Sequence, residues 1–152
     1  MMWEEYKEVD QGDSVYEVDS GGVGTFGLGP CIAVAIVYAG KISITHQPAS
    51  HLGCGFDEFL KTVEMVVPLA FRSEIYPIVA GGKVGDDLLD EVLESREYVL
   101  FKLNESGFAA ANTYWCSNDA EGQSLVADVE NRTVEVETQW HGKAAQIEVI
   151  EF

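Results

Sequence analysis

The chain has 152 residues, 47% of them apolar and 23% charged with the charges interspersed, which excludes extended disorder and suits one folded domain with its own core. Lys and Arg total 9 against 26 Asp and Glu, so the formal charge of −17 repels nucleic acid and anionic membrane surfaces; it doubles as a solubility device and names no partner by itself. Three widely spaced cysteines, no basic-then-apolar leader in MMWEEYKEVDQGD, and no apolar run longer than Cys31 to Ala39 together exclude a disulfide framework and a spanning helix, and the expectation is a cytoplasmic protein without membrane insertion.

In chain order, Gly21 to Gly29 holds five glycines in nine residues and reads as a loop able to approach another backbone closely. Cys31 to Tyr38 is a continuous apolar, largely β-branched run, as expected of a central strand covered on both faces. After an Ala39-Gly40 turn, KISITH alternates, with Ile42, Ile44 and His46 on one face and Ser43 and Thr45 on the other, so the two strands should pair as a hairpin. Position 31 then lies roughly opposite a residue in the high forties.

From Phe56 the spacing turns helical, with Phe59, Leu60, Val63, Val66 and Val67 on one stripe, Asp57 and Glu58 in the first turn, and Pro68 as the stop. Ile75 to Ala80 reads as a strand ending at Gly81-Gly82, and Pro77 inside it predicts an edge position or a bulge. A second helix is expected from Asp86 to about Ser106, capped by Asp86 or Asp87, with Leu88, Leu89, Val92, Leu93, Val99, Leu100 and Leu103 in helical period and Gly107 ending it. Strands follow at Phe108 to Trp115, Gln123 to Val129, Thr133 to Gln139 and Ala145 to Ile150, with a turn at Glu130-Asn131-Arg132. Without strict βαβ alternation, the fold expected over residues 1–152 is α+β: a single-domain sandwich of antiparallel or mixed strands with two packed helices.

Four patterns bear on chemistry. Gly22 to Gly27 matches a GxGxxG fingerprint, but a strand follows it where pyrophosphate binding needs a helix N-terminus. His46, His51 and Cys54 have the donor types of a zinc site at loose spacing, with no fourth ligand placed nearby, so no metal or cofactor is expected. The acidic helix with Asp86, Asp87, Asp90, Glu91, Glu94 and Glu97 is either a solvated face or a docking surface. Finally, Cys31 stands where a glycine-rich segment meets a buried strand, and His46 at the far end of the next strand is the natural base for its thiol. The competing reading makes Cys31 a small buried hydrophobe, as Cys54 and Cys116 are expected to be.

Thr25-Phe26-Gly27-Leu28-Gly29-Pro30-Cys31-Ile32-Ala33-Val34-Ala35, followed by Ile44-Thr45-His46, resembles the T-x-x-L-G-S-C-V-A-V pattern and downstream strand-end histidine of the CheD chemoreceptor glutamine deamidases, which share a sandwich core with the cytotoxic necrotizing factor toxins. The likeness spans about residues 15 to 140, and the threonine stands six residues before the cysteine. Pro30 replaces the family's serine, Thr45 its asparagine, and the cysteine-to-histidine interval is shorter than the family's. The resemblance implies Cys31 as nucleophile, His46 as general base and then acid, and Thr25 as the orienting third member. It also implies a protein substrate, such as a chemoreceptor, whose glutamine becomes glutamate. The alternatives are a regulatory binding module that has lost its chemistry, and a different cysteine-dependent hydrolase on the same scaffold.

Overall fold

A computed structural model describes residues 6–49, 52–85 and 89–152; His51, Asp86, Asp87 and Leu88 lie outside them, and with them the expected caps of the second helix. The hairpin forms as its pattern requires. β4 (Ile32–Tyr38) and β5 (Lys41–Gln47) pair antiparallel from Tyr38↔Lys41 to Ile32↔Gln47. Ala39 and Gly40 between them both take positive φ, 54° and 75°, the backbone of a two-residue hairpin turn whose twist matches the strands.

β4 is the middle of a five-stranded sheet of order β2-β5-β4-β6-β7, with β2 at Ser14–Val18, β6 at Ile78–Gly81 and β7 at Asn112–Trp115. Its continuous apolar run is buried on both faces, as predicted. Ala33 and Ala35 face a second sheet together with Ile42 and Ile44, while Ile32, Val34 and Ile36 face the helices. The second sheet has order β1-β3-β8-β9-β10, from β1 (Tyr6–Glu8), β3 (Gly22–Leu28), β8 (Ala120–Asp128), β9 (Thr133–Trp140) and β10 (Gln146–Glu151). β1–β3 and β6–β7 are parallel and the other pairs antiparallel. The described residues thus form an α+β sandwich of ten strands in two sheets with three helices: α1 (Leu52–Val66), the short α2 (Leu69–Arg72) and α3 (Leu89–Glu105).

Several expectations change. The glycine-rich Gly21–Gly29 segment is mostly strand, because Val23 and Thr25 alternate with glycines and point inward. Between Thr25↔Leu125 and Leu28↔Gln123 three steps on β3 meet two on β8, a bulge in which Gly27 takes φ 69°. The extra residue shifts the alternation, so that Leu28 also faces the core and Phe26 is left 41% exposed. α1 begins a turn earlier than expected, at Leu52, so Cys54 is helical and Asp57 lies beyond the first turn. There Asp57 accepts a 2.5 Å hydrogen bond from Tyr98 on α3.

β6 is interior rather than an edge. Pro77 precedes it, offering only its carbonyl to the Asn112 N–H at 2.8 Å, so no ladder donor is lost. On α3 the buried stripe narrows to Val92, Val99 and Leu103, leaving Leu93 and Leu100 exposed. Gly107 ends it at φ 93°, with the Phe108 N–H reaching back to the Leu103 carbonyl as in a Schellman motif. β1 and β2 were not anticipated. No described helix is long and apolar enough to cross a membrane.

Candidate active site

β5 carries His46, and Cys31 directly precedes β4. The β4–β5 register sets His46 opposite Ala33, on the face that packs against the other sheet. Cys31, two positions before Ala33, joins the same inter-sheet core and is therefore diagonal to His46. In a regular ladder such diagonal positions are about 7–8 Å apart. Thr25 comes from the opposite side of the sandwich, where β3 turns its side chain inward, fully buried. The site thus draws Cys31 and His46 from the β4–β5 side of the sandwich and Thr25 from the second sheet.

Thr25 Oγ1 lies 2.6 Å from the Val9 carbonyl and 2.6 Å from His46 Nδ1. A carbonyl only accepts, so the single hydroxyl proton goes to Val9, and Oγ1 must accept from His46. That assigns the imidazole proton to Nδ1 and leaves a bare lone pair on Nε2. His46 is 3% exposed, and its Nε2 meets no hydrogen-bond partner among the described residues. Burial pulls the imidazole below its ordinary value of 6.5, opposed by the Val9 carbonyl and the Asp10 charge. At neutral pH His46 is an oriented, uncharged base.

Cys31 is 7% exposed. Burial pushes its thiol above the ordinary 9.0, and only its own backbone N–H pulls the other way. No hydrogen bond joins Sγ to His46 Nε2. At rest the two residues are therefore a neutral thiol and a neutral imidazole on one sheet face, not a preformed thiolate–imidazolium pair. Two such neutral groups can work by general-base catalysis, with the thiol proton passing to Nε2 as sulfur attacks an electrophilic carbon.

The N-terminal segment holds this arrangement in place, and the sequence reading missed it. The Val9 N–H bonds the Gly24 carbonyl at 2.8 Å, which locks Val9 beside Thr25. The Gly12 N–H bonds the His46 carbonyl at 2.7 Å, and the His46 N–H bonds the Asp13 carbonyl at 3.1 Å. All of these contacts are made by backbone atoms, which side-chain patterns do not disclose. The one available signal was the short β-branched and aromatic run of Val15, Tyr16 and Val18.

The replaced family positions separate clearly. Thr45 points to the helix side of β5, where its Oγ1 accepts from Ser14 Oγ at 2.7 Å and Gln47 Nε2 at 2.9 Å, away from the inter-sheet site. Pro30 is exposed directly before Cys31 and offers no N–H to a developing oxyanion. The sheet also divides the zinc-like pattern: His46 faces between the sheets, Cys54 is exposed on α1, and His51 lies outside the described residues. Among the described residues no group of three His, Cys, Asp or Glu is arranged to hold a metal ion. The GxGxxG match falls on β3 and leads to β4, with no helix after it. Cys116 is buried, 1% exposed.

Two cavities of about 570 and 440 Å3 open between α1 and α3 and share Cys54 in their walls. Neither is lined by Cys31, His46 or Thr25. Their size reflects the narrow packing stripe of α3 and does not mark the chemistry, which needs a base beside a nucleophile. Compared with known proteins, the chain matches no family model, and no curated protein is significantly similar to it.

Proposed function

We propose that the chain is a cysteine-dependent amidohydrolase of the CheD-like kind that converts protein glutamine to glutamate, with Cys31, His46 and Thr25 as its working residues. The observation that carries this reading is the buried, unpartnered Nε2 of His46, oriented through Nδ1 by Thr25 and sharing a sheet face with the only buried cysteine of the β4–β5 hairpin. A buried polar atom left without a partner is costly, and a nitrogen that must accept a proton during reaction accounts for it.

In this reading Sγ attacks the carboxamide carbon while its proton moves to Nε2, giving a tetrahedral oxyanion and an imidazolium. The imidazolium returns the proton to the amide nitrogen, the C–N bond breaks and ammonia leaves, forming a thioester. Water, deprotonated by Nε2, then attacks the thioester carbon; the C–S bond breaks, leaving glutamate and the restored thiol. Thr25 keeps the imidazole in one tautomer throughout, and the Asp10 charge favours the transient imidazolium.

A second reading, a binding module that has lost its chemistry, draws on one specific observation: the Cys31 thiol is pushed up and has no hydrogen bond to Nε2. Its partner would be a regulatory protein meeting the acidic residues of α3. The two readings part on iodoacetamide labelling of Cys31 across pH, with peptide mapping, in native protein and His46→Ala. The enzyme reading expects Cys31 to label in the folded state and about tenfold more slowly without His46. It also expects ammonia release and a gain of about one dalton on glutamine-bearing proteins, lost in Cys31→Ser. Labelling of Cys31 only after unfolding sinks it.

A further inference from the structure

We propose that Arg96 and Gln123 are positioning residues, a two-sided clamp on the Gly81-Gly82 turn that sets the Cys31 thiol against His46. The proposal rests on the reading of Cys31 as nucleophile. The β4–β5 ladder ends at Ile32↔Gln47, so Cys31 lies just beyond it on that side. On the other side the chain carrying the thiol is held by the Gly82 N–H on the Cys31 carbonyl at 2.9 Å and the Lys83 N–H on the Gly29 carbonyl at 2.8 Å. The placement of Sγ therefore follows the placement of this turn.

The turn is itself gripped from both layers that flank its sheet. From the other sheet, Gln123 Oε1 accepts the Gly81 N–H at 2.7 Å, while Gln123 Nε2 is anchored on Thr138 Oγ1 at 3.1 Å. From α3, Arg96 donates through Nε and Nη2 to the Gly82 carbonyl at 2.9 and 2.5 Å. Its guanidinium lies 4.8 Å over the Trp115 ring of β7, which fixes the plane of the fork. From β7, the Cys116 N–H bonds the Gly81 carbonyl at 2.7 Å.

Both glycines have positive φ, 91° and 63°. A Cβ at Gly81 would fall on the Cys31 carbonyl oxygen, and one at Gly82 would come within 2.9 Å of the Trp115 ring. Backbone therefore touches backbone directly behind the nucleophile, with no flexible side chain between to absorb a shift. A displacement of Arg96 or Gln123 is passed on to Cys31, and general-base transfer is sensitive to placement at this scale.

The test is a double-mutant cycle read by iodoacetamide labelling of Cys31, with Cys54 labelling as internal control. His46→Ala in otherwise native protein should slow Cys31 by about tenfold. In the Arg96→Gln background the same change should shift the rate by no more than about threefold, because the thiol no longer sits against the base. Arg96→Lys, which keeps the charge and loses the fork, should fall between. Native-state hydrogen exchange of the Gly82 amide should quicken in Arg96→Gln while core amides of β4 keep their protection. If Arg96→Gln fails to fold, Gln123→Ala gives the same cycle from the other side. A full His46 effect persisting in the clamp variants overturns the clamp and leaves the catalytic reading intact. No His46 effect in native protein overturns both.

Discussion

Cys31 and Cys54 stand on opposite sides of the same sheet and illustrate opposite conditions for a thiol. Cys54 is exposed on α1, beside two open cavities, with Asp57 and Glu58 near it and no imidazole among its described neighbours. Cys31 is buried between sheets and lines neither of those cavities, yet it shares its face with a histidine whose tautomer is fixed and whose second nitrogen is bare. Access and activation are thus separated in this molecule. Alkylation speed by itself would select Cys54, and only its dependence on His46 identifies the thiol with a base.

The largest expected effect comes from removing the hydroxyl that sets this difference. Thr25→Val keeps the shape but leaves His46 Nδ1–H without its acceptor and the Val9 carbonyl without its donor. Turnover should fall by about a hundredfold, labelling of Cys31 should drop toward the His46→Ala rate, and unfolding in urea should show a loss of about 1–3 kcal/mol. Thr25→Ser should restore most of each. A Thr25→Val protein that labels Cys31 as the native one does removes Thr25 from the orienting role.

A smaller effect lies in the pH dependence of stability, to which His46 and Cys31 contribute from the buried side of the sheet. The His46 imidazole is lowered on folding, so below its ordinary 6.5 the unfolded chain binds the proton first and stability falls as pH drops. The Cys31 thiol is raised, so above its ordinary 9.0 the unfolded chain loses the proton first and stability falls as pH rises. Each group's share is bounded at about 1.4 kcal/mol per pH unit. His46→Gln should flatten the acid limb relative to native protein, and Cys31→Ala the alkaline one, in chemical unfolding at a series of pH values. The Cys116 thiol and the Tyr98 phenol are also pushed up, so Cys31→Ala should reduce the alkaline limb and not remove it; an unreduced limb takes Cys31 out of it.

The smallest effect is expected on the exposed side. Cys54→Ser should change stability by less than about 0.5 kcal/mol while abolishing the fast alkylation of folded protein. A larger loss would mean that the α1 surface is packed more tightly than its exposure indicates.

The β4–β5 hairpin, its turn and the division of its two faces were legible in the sequence, because period-2 alternation and a two-residue turn leave few ways to pair. β3 was not legible. Its glycines suggested a loop, although Val23 and Thr25 alternated all along, and the bulge at Gly27 that brings Leu28 back inward has no pattern of its own. The start of α1 was obscured by Gly53 and Gly55; a Cβ at Gly55 would fall on the Gln47 amide, a contact made only after β5 has docked.

Cys31 and His46 were singled out from their places at the ends of paired strands, and Thr25 only from the resemblance to a known pattern; the Ala33↔His46 register then puts Cys31 and His46 on one sheet face. What the sequence determined was therefore local: which residues form the central β4–β5 hairpin, where it turns, and which face its side chains take. The packing of one sheet on the other decided the rest. It brings Thr25 across the core to His46, makes the Val9 carbonyl the group that assigns the tautomer, and sets Gln123 on the turn behind Cys31, while the docking of α3 sets Arg96 there. Those contacts join residues distant in the chain, several through backbone atoms common to every residue, so no periodicity in the sequence encodes them.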